Sequence, residues 1–203
     1  MKKRVLNLYA GVGGNRQRWK DVDVTAVEYD EKIAAVYQKL YPDDTVIVAD
    51  AHKYLEDNHE NFDSVWSSPP CQSHSKMVKF TRHKNKKCPD MSLYGEIIFL
   101  KNFFKGDWVV ENVVPYYEPM MSPVRIGRHL FWSNKQLEAD FHIERPDNFI
   151  NSTNMAGRKQ MMDWLGIHFD EVIYYKGNHC PAQILRNCIH PLLGEYVFNQ
   201  IIQ

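Results

Sequence analysis

The sequence predicts an α/β chain folded on a doubly wound, mostly parallel sheet. Two observations carry that expectation. Short apolar runs alternate with segments of helical periodicity, which is the pattern of βαβ units with helices on both faces. The runs also end in Gly11, Glu28, Asp50, Pro69 and Glu111, and such sheets bind ligands at the carboxyl ends of their strands. The 203 residues, 44% hydrophobic and 13% aromatic, suit one globular domain with at most a small appendage.

In chain order, Val5-Leu6-Asn7-Leu8-Tyr9 reads as the first strand, closed by the glycine turn AGVGGN. Val24–Val27 is the second strand and leads through Glu28-Tyr29-Asp30 into a helix over 31–40, where Ile33, Val36, Tyr37 and Leu40 share one face. Val46–Val48 ends at Ala49-Asp50, and a short helix to Leu55 precedes a strand over 62–67. A helix over 93–104 presents Ile97, Ile98, Leu100 and Phe104, and Trp108–Val110 forms another buried strand ending at Glu111-Asn112. Beyond Ser133 the pattern loosens: a helix is expected at 158–165, a strand at 172–175 and a closing helix at 192–202. The chain therefore divides into residues 1–133, a small lobe or insertion at 134–180, and a returning segment at 181–203.

No run approaches the roughly 18 apolar residues of a membrane span. The start, MKKRVLNLYAG, lacks the apolar core and cleavage site of a signal peptide. Four cysteines at 71, 88, 180 and 188 form no CxxC pair, which favours free thiols in a reducing compartment and a cytoplasmic location. Lys+Arg and Asp+Glu balance at 25 each, so net charge singles out no partner. Its distribution is more telling. Between Gln72 and Pro89 there is no acidic residue, while Lys76, Lys79, Arg82, Lys84, Lys86 and Lys87 all fall there, a run suited to tracking phosphates.

That basic run begins beside an unusual cysteine. In SSPPCQSHSK, Cys71 follows two prolines and is surrounded by small polar residues, whereas a packing cysteine sits among apolar ones. The proline rings fix φ and remove two backbone donors, so Cys71 is held on a stiff turn at a strand end, a placement that suits a nucleophile.

The strand ends carry a second site. Gly11 and Gly13 let a ligand approach the backbone. Glu28 stands where an acidic side chain can accept from both ribose hydroxyls, and Asp50 where it can accept from an exocyclic adenine amine. The alternative is that both cap helices. No GxxxxGK[ST] motif is present to cradle a triphosphate. An adenosine ligand without a phosphate cradle points to S-adenosylmethionine.

Taken together, AGVGG, VEYD, ADAH, SPPCQ and VVENVV occur in that order, and the chain resembles the DNA (cytosine-5) methyltransferase family over roughly residues 4–133 and 177–202, as a short, phage-like member. The resemblance implies a Rossmann-like S-adenosylmethionine-dependent methyltransferase fold with a small recognition lobe. It assigns a covalent mechanism: the Cys71 thiolate adds to cytosine C6, making C5 nucleophilic enough to attack the sulfonium methyl. Glu111 would hold ring N3 and the amino group. The base must leave the duplex to be reached. Tyr9, Gly11, Gly13 and Glu28 are the expected cofactor residues, joined by Tyr29, Asp50, Ala51, Pro69 and Asn187. Gln72, Ser75, Lys76, Lys84, Lys86 and Lys87 would contact DNA. Where the family has Gln-x-Arg-x-Arg, this chain reads VRIGRHLFWSN, so Arg125, Arg128 and His129 compete to contact the base, with Arg128 preferred.

The implied partner is double-stranded DNA, with S-adenosylhomocysteine as by-product and no obligatory protein partner. The implied setting is a bacterial or phage-infected cytoplasm. Two other functions compete: an RNA cytosine-5 methyltransferase of the tRNA type, and a catalytically idle DNA-binding relative. His179, Cys180, Cys188 and His190 do not have zinc-ligand spacing, so no metal is expected.

Overall fold

The computed structural model describes residues 2–76, 88–146, 157–174 and 180–202. Five strands run parallel: β1 (Lys3–Leu8), β2 (Val22–Glu28), β3 (Thr45–Val48), β4 (Ser64–Ser67) and β5 (Asp107–Val113). Two more, β6 (Val124–Ile126) and β7 (His129–Ser133), form an antiparallel pair, with β7 lying antiparallel to β5. The sheet order is β3-β2-β1-β4-β5-β7-β6. The chain winds outward from β1 to β3, then returns to lay β4 and β5 on the other side. The topological switch point lies between β1 and β4, where ligands bind in such sheets.

Side-chain alternation buries both faces. Leu6, Leu8, Val65 and Val110 pack with Leu55 of α2 (Ala51–Asn58) and with Ile97 and Leu100 of α3 (Ser92–Phe103). Val5, Val24, Trp66, Val109 and Phe131 point the other way and meet Leu193, Val197, Phe198 and Ile201 of α6 (Pro191–Ile201).

The remaining helices owe their bounds to local chemistry. α1 (Glu31–Leu40) starts where the Asp30 carboxylate accepts from the backbone N–H groups of Lys32 and Ile33. α4 (Arg158–Leu165) stops at Gly166, whose φ of 63° suits a left-handed cap. Met161, Leu165, Ile167, Phe169 and Ile173 share one apolar cluster with Val12, Ile33 and Val36, and with Ile184 and Leu185 of α5 (Gln183–Arg186). The described part of 158–173 therefore rests on α1 and the glycine turn.

The strand expected at 172–175 is not formed across its described residues, 172–174. Its apolar alternation is real, with Ile173 buried between exposed Val172 and Tyr174. Just before it, however, the carbonyls of Phe169 and Glu171 accept from Arg158 Nη2 rather than from a neighbouring strand. A side chain takes up backbone groups that a ladder would otherwise satisfy. Among the described residues no helix is long and apolar enough to cross a membrane.

Candidate active site

The turn after β1 is made by three left-handed residues, Tyr9 (φ 55°), Gly11 (φ 57°) and Gly13 (φ 77°). A Cβ on Gly13 would fall 2.2 Å from a ring carbon of Tyr41, so that position is closed to any side chain. A Cβ on Gly11 would meet nothing within 4 Å, leaving this backbone open to a ligand. Tyr41 Oη donates to the Gly13 carbonyl at 2.7 Å. Arg16 forks onto the buried Asp44 at 2.8 Å through both Nε and Nη2, anchoring the turn from below.

Glu28 is buried at the end of β2 and caps no helix. Its carboxylate accepts from the backbone N–H of Gly11 at 2.9 Å and of Asp30 at 3.0 Å. Burial pushes its pKa above the usual carboxylate value, against the pull of these N–H groups. Beside it, Tyr29 is 71% exposed and Val48 at the end of β3 is 49% exposed, two uncovered apolar surfaces at adjacent strand ends. Asp50 does cap a helix: its Oδ1 accepts from Lys53 N at 2.9 Å, with Ala51 buried behind it. Asn187 is exposed at the end of α5 and accepts from Gln183 Nε2 at 2.8 Å. Its neighbour Cys188 packs on Gly14, where an added Cβ would come within 2.9 Å of the cysteine Cβ. The open Gly11 backbone, the buried carboxylate and the exposed apolar faces fit an adenosine-bearing cofactor such as S-adenosylmethionine.

Across the switch point, β4 ends at Ser67 and Pro69 is buried. The Cys71 carbonyl accepts from His74 N and Ser75 N, both at 3.0 Å, giving a tight turn. This turn is fastened to the segment after β5. Asn112 Nδ2 donates to the Pro69 carbonyl at 3.0 Å, Tyr116 N donates to the His74 carbonyl at 3.1 Å, and Ser75 bridges to Pro115. His74 Nδ1 and Tyr117 Oη lie 2.5 Å apart. Burial pushes the Cys71 thiol up to about 11, the Glu111 carboxylate adding to the shift and Arg128 opposing it. Gln72 and Lys76 are exposed and Ser75 is half-buried, whereas Lys84, Lys86 and Lys87 lie outside the described residues.

The three residues competing for the base differ in placement. Arg125 is exposed, and its Nε donates to the Gly127 carbonyl at 3.1 Å. Arg128 is half-buried and donates through Nη2 to the Arg186 carbonyl at 3.1 Å. Burial lowers its pKa, while Glu111 and the Cys71 thiol act to raise it. His129 is buried, with Nδ1 2.5 Å from Glu111 Oε1.

One group escaped sequence reasoning entirely. Glu96 of α3 is 1% exposed and lies under the switch point. It accepts from Tyr9 Oη at 2.9 Å and from Ser67 Oγ, and lies 3.2 Å from His52 Nδ1. That hydrogen bond raises the His52 pKa. The signal was present as a lone carboxylate on the apolar stripe of Leu93, Ile97 and Leu100. Among the described residues no cluster of three or more His, Cys, Asp or Glu could hold a metal ion.

A family model, "C-5 cytosine-specific DNA methylase", matches residues 3–114. No curated protein sequence matches the chain. Among solved structures, a DNMT2 mutant from Spodoptera frugiperda is 23% identical, covering 55% of this chain and 36% of its own, with a TM-score of 0.40. The Entamoeba histolytica methyltransferase EhMeth is 15% identical, covering 80% and 65%, with a TM-score of 0.45. A SAM-dependent methyltransferase from Agrobacterium tumefaciens is 14% identical, covering 58% and 40%, with a TM-score of 0.40.

Proposed function

We propose that this chain, which belongs to the C-5 cytosine-specific DNA methylase family, methylates carbon 5 of cytosine in double-stranded DNA through a covalent Cys71 adduct. The observation that carries the reading is the fastening of the Cys71 turn to the Glu111-Asn112-Val113 strand end, through Asn112 and Pro69. It brings a thiol, a carboxylate and the Arg128 cation within electrostatic reach of one another. S-adenosylmethionine is the methyl donor and supplies an electrophilic sulfonium methyl group.

In this reading the Cys71 thiolate attacks C6 of an extrahelical cytosine. Glu111 delivers a proton to N3, so that the electrons of the C5–C6 double bond become available at C5. Once C5 carries the methyl group, a solvent-derived base removes its proton. The C5–C6 double bond re-forms, and the C6–S bond breaks to return the thiolate. The N3 proton goes back to Glu111. Arg128 favours the thiolate at both ends of the cycle by opposing the effect of burial on Cys71. Gln72, Ser75 and Lys76 flank the nucleophile on its exposed side and are proposed to face the DNA, together with the basic run that follows them.

Glu28, with Gly11 beside it, is proposed to hold the ribose of the cofactor. Tyr9, Gly13, Tyr29, Asp50, Ala51, Pro69 and Asn187 complete the cofactor-binding proposal, and residues 134–180 the recognition lobe. Glu28→Ala should weaken S-adenosylmethionine binding by about 1–3 kcal/mol, the cost of leaving buried polar partners unpaired. Titration calorimetry reads this directly; unchanged affinity would limit Glu28 to tying Gly11 and Asp30 to the strand end.

The reaction is tested by supplying methyl-labelled cofactor with duplex DNA or with tRNA, followed by bisulfite sequencing of the labelled nucleic acid. Label at cytosines of the duplex supports the proposal. Label confined to tRNA would move the activity to RNA, and label in neither would favour an idle binding protein.

A further inference from the structure

β5 and β7 run antiparallel, with Val113 opposite His129 and Glu111 opposite Phe131. His129 is 5% exposed and Glu111 7% exposed, and His129 Nδ1 lies 2.5 Å from Glu111 Oε1. On the far side of the ring, Arg128 Nε donates to His129 Nε2 at 3.1 Å. A guanidinium has donors only, so Nε2 must present its lone pair. The ring proton is then on Nδ1, directed at Glu111. The contact is thus one made by the neutral, Nδ1-protonated tautomer.

We propose, within the cytosine-methylation reading, that His129 is a positioning residue: its Nδ1–H occupies Glu111 Oε1 and leaves Oε2 as the oxygen that exchanges a proton with the base. When Glu111 gives its Oε2 proton to N3, the carboxylate produced is met by a donor already in place. His129 gives up no proton at any stage. Arg128 sets the tautomer, which links the cation of the site to the orientation of its acid. The other ionisable groups are Cys71, on which the Glu111 charge acts, and Arg145 and Cys188, whose charges act on Arg128.

Two substitutions separate this role from simple packing. His129→Leu removes the donor, while His129→Asn puts an amide N–H close to where Nδ1–H stood. His129→Leu is expected to lower kcat by roughly 10- to 100-fold, with KM for the nucleic acid and cofactor affinity held within about twofold, since only the aim of Glu111 changes. His129→Asn should recover most of that loss. Equal impairment of the two variants would overturn the proposal.

A readout independent of catalysis is the imidazole ¹⁵N–¹H correlation spectrum of the unmodified protein. It should show the neutral His129 ring carrying its proton on Nδ1. A proton on Nε2 would sink the proposal even if His129→Leu does not fold. A protein that methylates no cytosine yet shows the Nδ1 proton would remove the functional reading and leave the positioning contact standing.

Discussion

Cys71→Ser is expected to abolish methyl transfer, by roughly 10⁴-fold or more, as removal of a nucleophile does in other covalent enzymes. The hydroxyl is a far weaker nucleophile than the thiolate. Cofactor binding should survive, because Glu28 and Gly11 lie across the switch point from the thiol. Calorimetry with S-adenosylmethionine alongside a methyl-transfer assay separates the two effects; activity within tenfold of the parent would refute the covalent route. The unmodified protein carries a matching signature in its pH dependence. Burial beside Glu111 holds the thiol protonated up to about 11, and the reactive form is the thiolate. Alkylation of the Cys71 thiol by iodoacetamide should therefore speed up with pH throughout the neutral and mildly alkaline range. An alkylation rate already flat at neutral pH would mean that the thiol is ionised there.

Glu111→Gln should lower methyl transfer by about 10²- to 10⁴-fold, the usual range for losing a positioned acid–base group. The amide keeps the shape of the side chain and an oxygen to accept from His129, so folding should be little affected. The same change should act on Cys71 in the opposite direction. The Glu111 carboxylate raises the thiol pKa, so neutralising it makes the thiol more acidic. Alkylation of Cys71 by iodoacetamide at fixed pH should become faster even as methylation collapses. Alkylation slowed in parallel with methylation would show that Glu111 supports the thiol rather than opposing it.

Much of this architecture was legible where local chemistry decides it. Asp30 and the spacing of Ile33, Val36 and Tyr37 define α1 to the residue, and the span of α4 agrees equally well. The glycine turn and Cys71 follow their strands as expected because their motifs are contiguous in the chain, whereas Glu111, expected to end its strand, lies inside β5, which pairing with β7 extends to Val113. What could not be read depends on partners far apart in sequence. The insertion of β7 between β5 and β6 is a property of strand pairing, and it brings His129 to Glu111. Glu96 looked like one more helix residue until Tyr9, Ser67 and His52 converged on it. At 172–174 the alternation was genuine, but Arg158 had already claimed the preceding carbonyls.

The bonds from Asn112 to Pro69 and from Tyr116 to His74 have a mechanical consequence. The turn bearing the thiol and the strand end bearing the carboxylate are clamped at two points, so a displacement of one carries the other with it. The spacing between sulfur and carboxyl is therefore preserved when either element shifts, and the reacting pair behaves as one rigid jaw rather than two independent fingers.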